Sequence, residues 1–273
     1  LDVVKALALF QNEDGGFGRA IEPDLRAPES TALGTSIALR VLSEIDALGA
    51  SPLVERALAY LASTFRPGMA GWRIVSPEVE SSPHAPWWNQ TGRDAGYDRF
   101  SLNPNAELLG ALYALGDMAP SDLRQRVTTA VLETLEAQPS LEMHELLCTL
   151  RLHATPDLPA DLRARVREAL DRAIPETVAT DPGAWGGYGL RPLQVVEGPG
   201  SPFFAGLEAA VDANLVYAIE TQAPDGSWAP TWSWGEQFPD VWPTAAREWA
   251  AVLTIEMLRR LQAFDRLPDQ FPP

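Results

Sequence analysis

The sequence predicts an all-α protein, an (α/α) barrel or toroid of about five to six helical hairpins. Three observations lead there. The segment Gln11-Asn-Glu-Asp-Gly-Gly-Phe17 recurs as Gln222-Ala-Pro-Asp-Gly-Ser-Trp228, each time directly after a helix-like apolar run. Gly15 and Gly226 stand where a helix must stop and reverse, because glycine reaches φ > 0 without a Cβ clash. Asp14 and Asp225 offer the side-chain oxygen such turns use. Second, amphipathic and nearly all-apolar helices alternate at roughly 45–55 residues per pair, the range of helical-pair repeats. Third, no stretch shows strand-like alternation. Polar-backed helices outside and apolar ones inside suit two concentric layers around a hollow axis.

Each element has a local reason. Val4, Leu7, Ala8 and Phe10 make a short apolar helix ending at the first turn. Ser30 to Ile45 is apolar nearly all round until Arg40, the mark of an enclosed helix. Ser51 and Pro52 are good N-cap and first-turn residues for a helix ending near Phe65. Gly71-Trp72 is a degenerate echo of the turn. Asn103 and Pro104 start an apolar helix over 105–115, and 121–137 and 141–153 form the next pair. Residues 161–174 read as an amphipathic outer helix. Trp185-Gly-Gly-Tyr-Gly189 is a third variant of the turn. Helices over 207–221 and 243–264 close the chain.

Composition narrows the function. Across 273 residues the net charge is −16, so nucleic acid is excluded as a partner and an anionic membrane surface is disfavoured. Cys148 is the only cysteine, which precludes an intrachain disulfide and favours a cytoplasmic setting. No apolar run reaches the ~20 residues of a membrane-spanning helix. The chain opens on Leu1 inside an apolar run, so residues are expected upstream, among them the start of a sixth hairpin. The whole of 1–273 reads as one toroid domain.

The stretch Leu9 to Gly18, followed by Glu29-Ser-Thr-Ala-Leu33 and Ala38-Leu-Arg-Val-Leu42, resembles the repeat shared by protein prenyltransferase β-subunits and squalene/oxidosqualene cyclases. Gln222 to Trp228 is similar to the cyclases' glutamine-tryptophan motif in its core spacing. The resemblance weakens between residues 115 and 180. It implies a toroid with a central cavity lined by inner helices. Two departures matter. The cyclases' Asp-x-Asp-Asp acid motif is absent; Glu22-Pro-Asp24 is the nearest acid pair. Where the prenyltransferases hold zinc with Asp-x-Cys and a later His, this chain resembles the pair only as Asp212-Ala-Asn214, and the His falls near Pro243 and Thr244. Zinc is poorly held without those ligands, and no metal site is expected.

The candidate catalytic residues are Glu22, Asp24, His84 and Asp212. A buried carboxyl at Glu22 or Asp24 has a raised pKa and can act as a general acid, against the alternative of capping or solvation. His84, in His84-Ala-Pro-Trp-Trp88, can move a proton near neutral pH; its alternative is capping a turn while the indoles plug the rim. The candidate substrate-binding residues are Trp87, Trp88, Asn105, Glu107, Asn214, Trp232, Trp234, Asp240 and Trp242. Aromatics with few polar groups suit hydrocarbon or carbocation ligands. His144, Cys148 and His153 do not share one helix face and read as packing or surface residues. Arg19, Arg26, Arg93 and Arg99 can hold a diphosphate, or be neutralised by Asp24, Asp94 and Asp98.

The expected function is that of a cyclase- or prenyltransferase-like enzyme acting on a small apolar or isoprenoid substrate in a central cavity. No cofactor is expected, except Mg²⁺ where the substrate is a diphosphate. The rivals are a non-catalytic toroid that binds a lipid or a partner protein, and a glycan-processing (α/α) barrel with two carboxylates about 5–10 Å apart.

Overall fold

The computed structural model describes residues 2–49, 51–92 and 94–267, which are helical with no strand among them. The chain divides into two compact units, Leu1–Ala173 and Ile174–Pro273.

The first unit holds α1 (Val3–Ala8), α2 (Ala32–Glu44), α3 (Pro52–Thr64), α4 (Asp94–Tyr97), α5 (Leu102–Ala114), α6 (Ser121–Ala137), α7 (Met143–Ala154) and most of α8 (Ala160–Thr177). Caps set the helix starts. Thr31 accepts the Gly34 N–H to open α2, and Ser51 accepts that of Leu53 to open α3, with Pro52 in its first turn. Asn103 has non-helical dihedrals, so regular helix in α5 begins at Pro104. α5 is the centre of the unit, packing against α2, α6 and, most extensively, α7. Leu102, Leu108, Leu109 and Leu112 of α5 are fully buried, each contributing roughly 1.5–3 kcal/mol of transfer free energy. Gly110 lets α7 approach: a Cβ there would stand 2.6 Å from Thr155 Oγ1.

The two copies of the turn have one geometry. Gln11 Nε2 donates to the Gly15 carbonyl at 2.9 Å, and Gln222 Nε2 to that of Gly226 at 2.9 Å. Gly15 has φ +91° and Gly226 φ +87°. Asp14 Oδ1 accepts the Gly16 N–H and Asp225 Oδ1 that of Ser227, each at 3.0 Å. The backbone N–H of the aromatic that follows is then clamped by a polar side chain of the next long helix, in the first turn of α2 and in the middle of α11. Phe17 N–H donates to Thr35 Oγ1 at 3.2 Å, and Trp228 N–H to Thr254 Oγ1 at 3.1 Å. The Gly71-Trp72 echo keeps the clamp with another residue type: Trp72 N–H donates to Asn105 Oδ1 at 2.8 Å. Thr35, Asn105 and Thr254 each donate back to the carbonyl four residues earlier. The repeat therefore resides in a hydrogen-bond scheme as well as in the Gly-aromatic spelling.

The second unit holds α9 (Pro192–Val195), α10 (Glu208–Glu220) and α11 (Trp242–Ala263). Trp185 is buried, donates from its indole to the Ala179 carbonyl at 2.7 Å and meets the Tyr217 ring edge-on. Asn214 repeats the clamp by accepting the Leu193 N–H at 3.1 Å. α11 buries only Ala245 and Leu261 fully, and Ile255 is 55% exposed. No helix among the described residues is long and apolar enough to cross a membrane.

Candidate functional site

The loop between the first turn and α2 carries Glu22 and Asp24. Backbone bonds fold it on itself, with Arg19 N–H on the Ala27 carbonyl at 3.0 Å and Leu25 N–H on that of Glu22 at 2.9 Å. Arg19 and Ala20 both take left-handed backbone, φ +55° and +63°, an uncommon conformation for residues with a Cβ. A second loop then docks onto it: Arg26 N–H donates to the Pro83 carbonyl and Ala85 N–H to that of Asp24, each at 2.9 Å. Asp24 is buried. The Glu22 residue keeps some accessible surface, but its carboxyl lies among protein atoms. Burial, and then the neighbouring Asp24 charge, push it up to about 8, with Arg40 pulling weakly the other way. At neutral pH Glu22 is a carboxylic acid.

Arg40 connects this loop to the row formed by α2, α5 and α7. Glu107 of α5 binds Arg40 of α2 through Oε1 at 3.2 Å and Arg151 of α7 through Oε2 at 2.7 Å. The Glu107 side chain is only 10% exposed. Burial pushes its carboxyl up, but Arg151 and then Arg40 outweigh that and hold it below the usual range. Cys148 Sγ lies 3.7 Å from Glu107 Oε2, and burial followed by the Glu107 charge pushes the thiol up, so it is protonated and unreactive. The arrangement is a neutral acid on a loop, with a fixed Arg–Glu–Arg ladder across three helices beside it. Such a pair of carboxyl environments, one driven neutral and one driven ionised, is how acid and base roles are separated.

Glu22, Asp24 and Glu107 are thus brought into one charge cluster. Arg40 and Arg151 are functional candidates that reading the sequence missed. Their signal was present: each is a lone charge in an apolar run, Ala38-Leu-Arg-Val-Leu42 and Leu150-Arg-Leu152.

The other candidates stay out of this charge cluster, although His84 lies on the stretch of loop that pairs with Leu25 beside Asp24. His84 is 2% exposed, with Nδ1 at 2.6 Å from the Ser82 carbonyl and Nε2 at 2.8 Å from Asn89 Oδ1. Both ring nitrogens are engaged in holding the loop, the capping alternative. Trp88 packs on a small cluster of Leu25, Ala27, Val75 and Val79, and the Trp87 carbonyl accepts the Tyr97 hydroxyl at 2.6 Å. Asn105 and Asn214 are clamps, buried by their own helices. Asp212, 69% exposed, pairs with Arg266 at 3.5 Å, so two residues of spacing on α10 separate it from the buried Asn214. Arg93 lies outside the described residues.

In the second unit, Trp232 meets Trp249 edge-on at 5.2 Å and Tyr188 at 5.7 Å, while Trp234, fully buried, lies 5.7 Å from Trp242. Trp249 and Tyr188 were not among the sequence candidates. Asp240 is exposed. His144 pairs with Glu142 at 2.8 Å. Among the described residues no three of His, Cys, Asp and Glu converge as a metal site.

No family model matches the chain, and no curated protein matches it.

Proposed function

We propose that the protein is a cyclase- or prenyltransferase-like enzyme whose helical pairs close an (α/α) toroid, acting on an isoprenoid or similarly apolar substrate. Glu22 is its proton donor. The observation that carries this reading is the Glu22 carboxyl, kept neutral by burial and by Asp24. Protonating an alkene or a leaving-group oxygen needs an acid that still holds its proton at working pH. Asp24 raises the proton affinity of Glu22, and Arg40 favours the carboxylate left after transfer. The repeated turn supports kinship with the cyclase and prenyltransferase toroids. A diphosphate substrate would bring Mg²⁺ with it.

The test is incubation with radiolabelled prenyl diphosphates, with and without Mg²⁺. Product is expected, and Glu22→Gln lowers the rate by roughly 10²-fold or more. Equal product from Glu22→Gln removes Glu22 from the chemistry.

A second reading, a toroid that binds a lipid or a partner protein, has its own support. Val216 and Ile219 of α10 are 50% and 47% exposed, and Val252 and Ile255 of α11 are 37% and 55% exposed. Each pair is spaced three residues apart and shares a helix face. Exposed apolar faces of this kind mark interaction surfaces. Absence of product from every isoprenoid favours this reading.

A further inference from the structure

Trp228 joins α10 to α11 within the second unit. Its indole donates to the Ala218 carbonyl of α10 at 2.8 Å, and its backbone N–H to Thr254 of α11 at 3.1 Å. Each of these adjoining helices turns an uncovered face to solvent. On α10 the exposed side chains are Glu208, Ala209, Asp212, Val216, Ile219 and Glu220, and steps of three and four residues keep them on one side. On α11 the exposed face runs from Arg247 through Val252 and Ile255 to Arg259.

The two faces carry opposite signs. The charged residues of α10 are all acids, Glu208, Asp212 and Glu220, and all three are exposed. The exposed charges of α11 are the guanidinium groups of Arg247 and Arg259. The other charges of α11 are half-buried: Glu256 pairs with Arg260 at 3.4 Å, and Glu248 is engaged within the chain. Some of the exposed groups have contacts of their own. Asp212 pairs with Arg266 at 3.5 Å, and Glu208 accepts the Gly206 N–H at 2.8 Å. Arg247 donates to Thr244 Oγ1 at 3.4 Å, and Arg259 is engaged as well. None of these contacts takes Val216, Ile219, Val252 or Ile255 out of water. An apolar centre with a charged rim is the makeup of a protein interface.

We propose that a second copy of this chain covers these faces, α10 of each copy packing on α11 of the other. The inference rests on the second reading above and names its partner. A uniformly basic protein would suit α10 and be repelled by Arg247 and Arg259 at α11. A uniformly acidic one would meet the reverse. This chain presents both signs on adjoining helices, so two copies match both faces at once. Because the exchange is reciprocal, it closes as a two-fold dimer and does not grow into a filament. Val216 and Ile219 of one copy meet Val252 and Ile255 of the other at the centre. The net charge of −16 on each copy opposes approach at long range. Physiological salt screens it beyond about 8 Å and leaves the contacts of opposite sign to act.

The test is sedimentation equilibrium of the full chain in physiological salt, from micromolar to submillimolar concentration. A species of twice the chain mass is expected. Ile255→Glu and Ile255→Arg remove the same apolar contact but set opposite charges before the acids of α10. Ile255→Glu should raise the dimer dissociation constant about tenfold or more beyond Ile255→Arg. Val216→Arg and Val216→Glu should show the opposite order, because Val216 faces the arginines of α11. Both positions are exposed, so the variants keep the fold. Glu22→Gln should dimerise unchanged, which separates this surface from the catalytic reading. A monomer at every concentration, or equal weakening by the Glu and Arg variants at either position, would overturn the proposal. Flotation with phosphatidylcholine vesicles separates the two failures. A monomer that floats overturns the dimer and upholds the second reading for a lipid; a monomer that does not float takes these faces from both.

Discussion

Asn105 and Trp72 exchange two hydrogen bonds: the side-chain amide accepts the Trp72 N–H at 2.8 Å and donates to the Trp72 carbonyl at 3.0 Å. One buried side chain thereby satisfies both backbone groups of a residue 33 positions away. Asn105→Ala leaves both groups unpaired in a dry interior. The expected loss is about 2–4 kcal/mol of unfolding free energy, read from the urea midpoint. A loss under 1 kcal/mol would mean that the clamp is incidental.

The twin turns differ in their surroundings, and so should their tolerance of a methyl group. At Gly226 an added Cβ meets nothing nearer than Gln222 Nε2 at 3.8 Å, so Gly226→Ala suffers only the left-handed backbone, about 1–2 kcal/mol. At Gly15 the same Cβ would lie 2.2 Å from the Arg56 carbonyl oxygen. Gly15→Ala must displace α3 or break the turn, and is expected to cost at least twice as much. Thermal melts of the two variants give the comparison.

Glu107→Gln removes the charge that two arginines share. Arg40 and Arg151 retain 26% and 36% side-chain exposure, so water recovers part of the loss. The cost is about 1–3 kcal/mol, less than for a fully buried pair. The variant also frees the Arg40 charge to act on Glu22, so the Glu22 titration should move down in pH. An unmoved titration would uncouple the ladder from the acid.

Stability should also report on Glu22. A carboxyl ionising at about 8 in the folded protein, against 4.5 ordinarily, binds one proton more than the unfolded chain does between those pH values. Unfolding free energy therefore falls as pH rises from about 4.5 to about 8, and then levels. The full span is on the order of 4–5 kcal/mol before relaxation reduces it. Glu22→Gln abolishes this contribution and should be the more stable protein at pH 8. Urea unfolding at pH 5 and pH 8 for both proteins measures the difference.

What could be read from the sequence was local. Gly15, Gly226 and the aspartates before them declare the turn, because backbone conformation there admits few residue types. Ser51-Pro52 declares the start of α3 for the same reason. Glu22 and Asp24 were legible as a pair because only Pro23 separates them in the loop. The ladder was not, because its partners are 67 and 44 residues apart and meet only when three helices pack. Asn105 read as a substrate-binding residue; its actual partner, Trp72, lies across the fold. Asp212 and Asn214 looked like a pair only through the resemblance to the prenyltransferase ligand position, but two steps along a helix turn side chains to different faces.

The central claim is that Glu22 keeps its proton at neutral pH. Carbon-13 NMR of the glutamate carboxyls, titrated from pH 3 to pH 10 and assigned with Glu22→Gln, tests it directly. One glutamate should ionise near pH 8, and its resonance should vanish in the variant. If the Glu22 carboxyl titrates near the ordinary 4.5 of a glutamate, the site holds no proton to give at neutral pH, and the proposed acid chemistry fails.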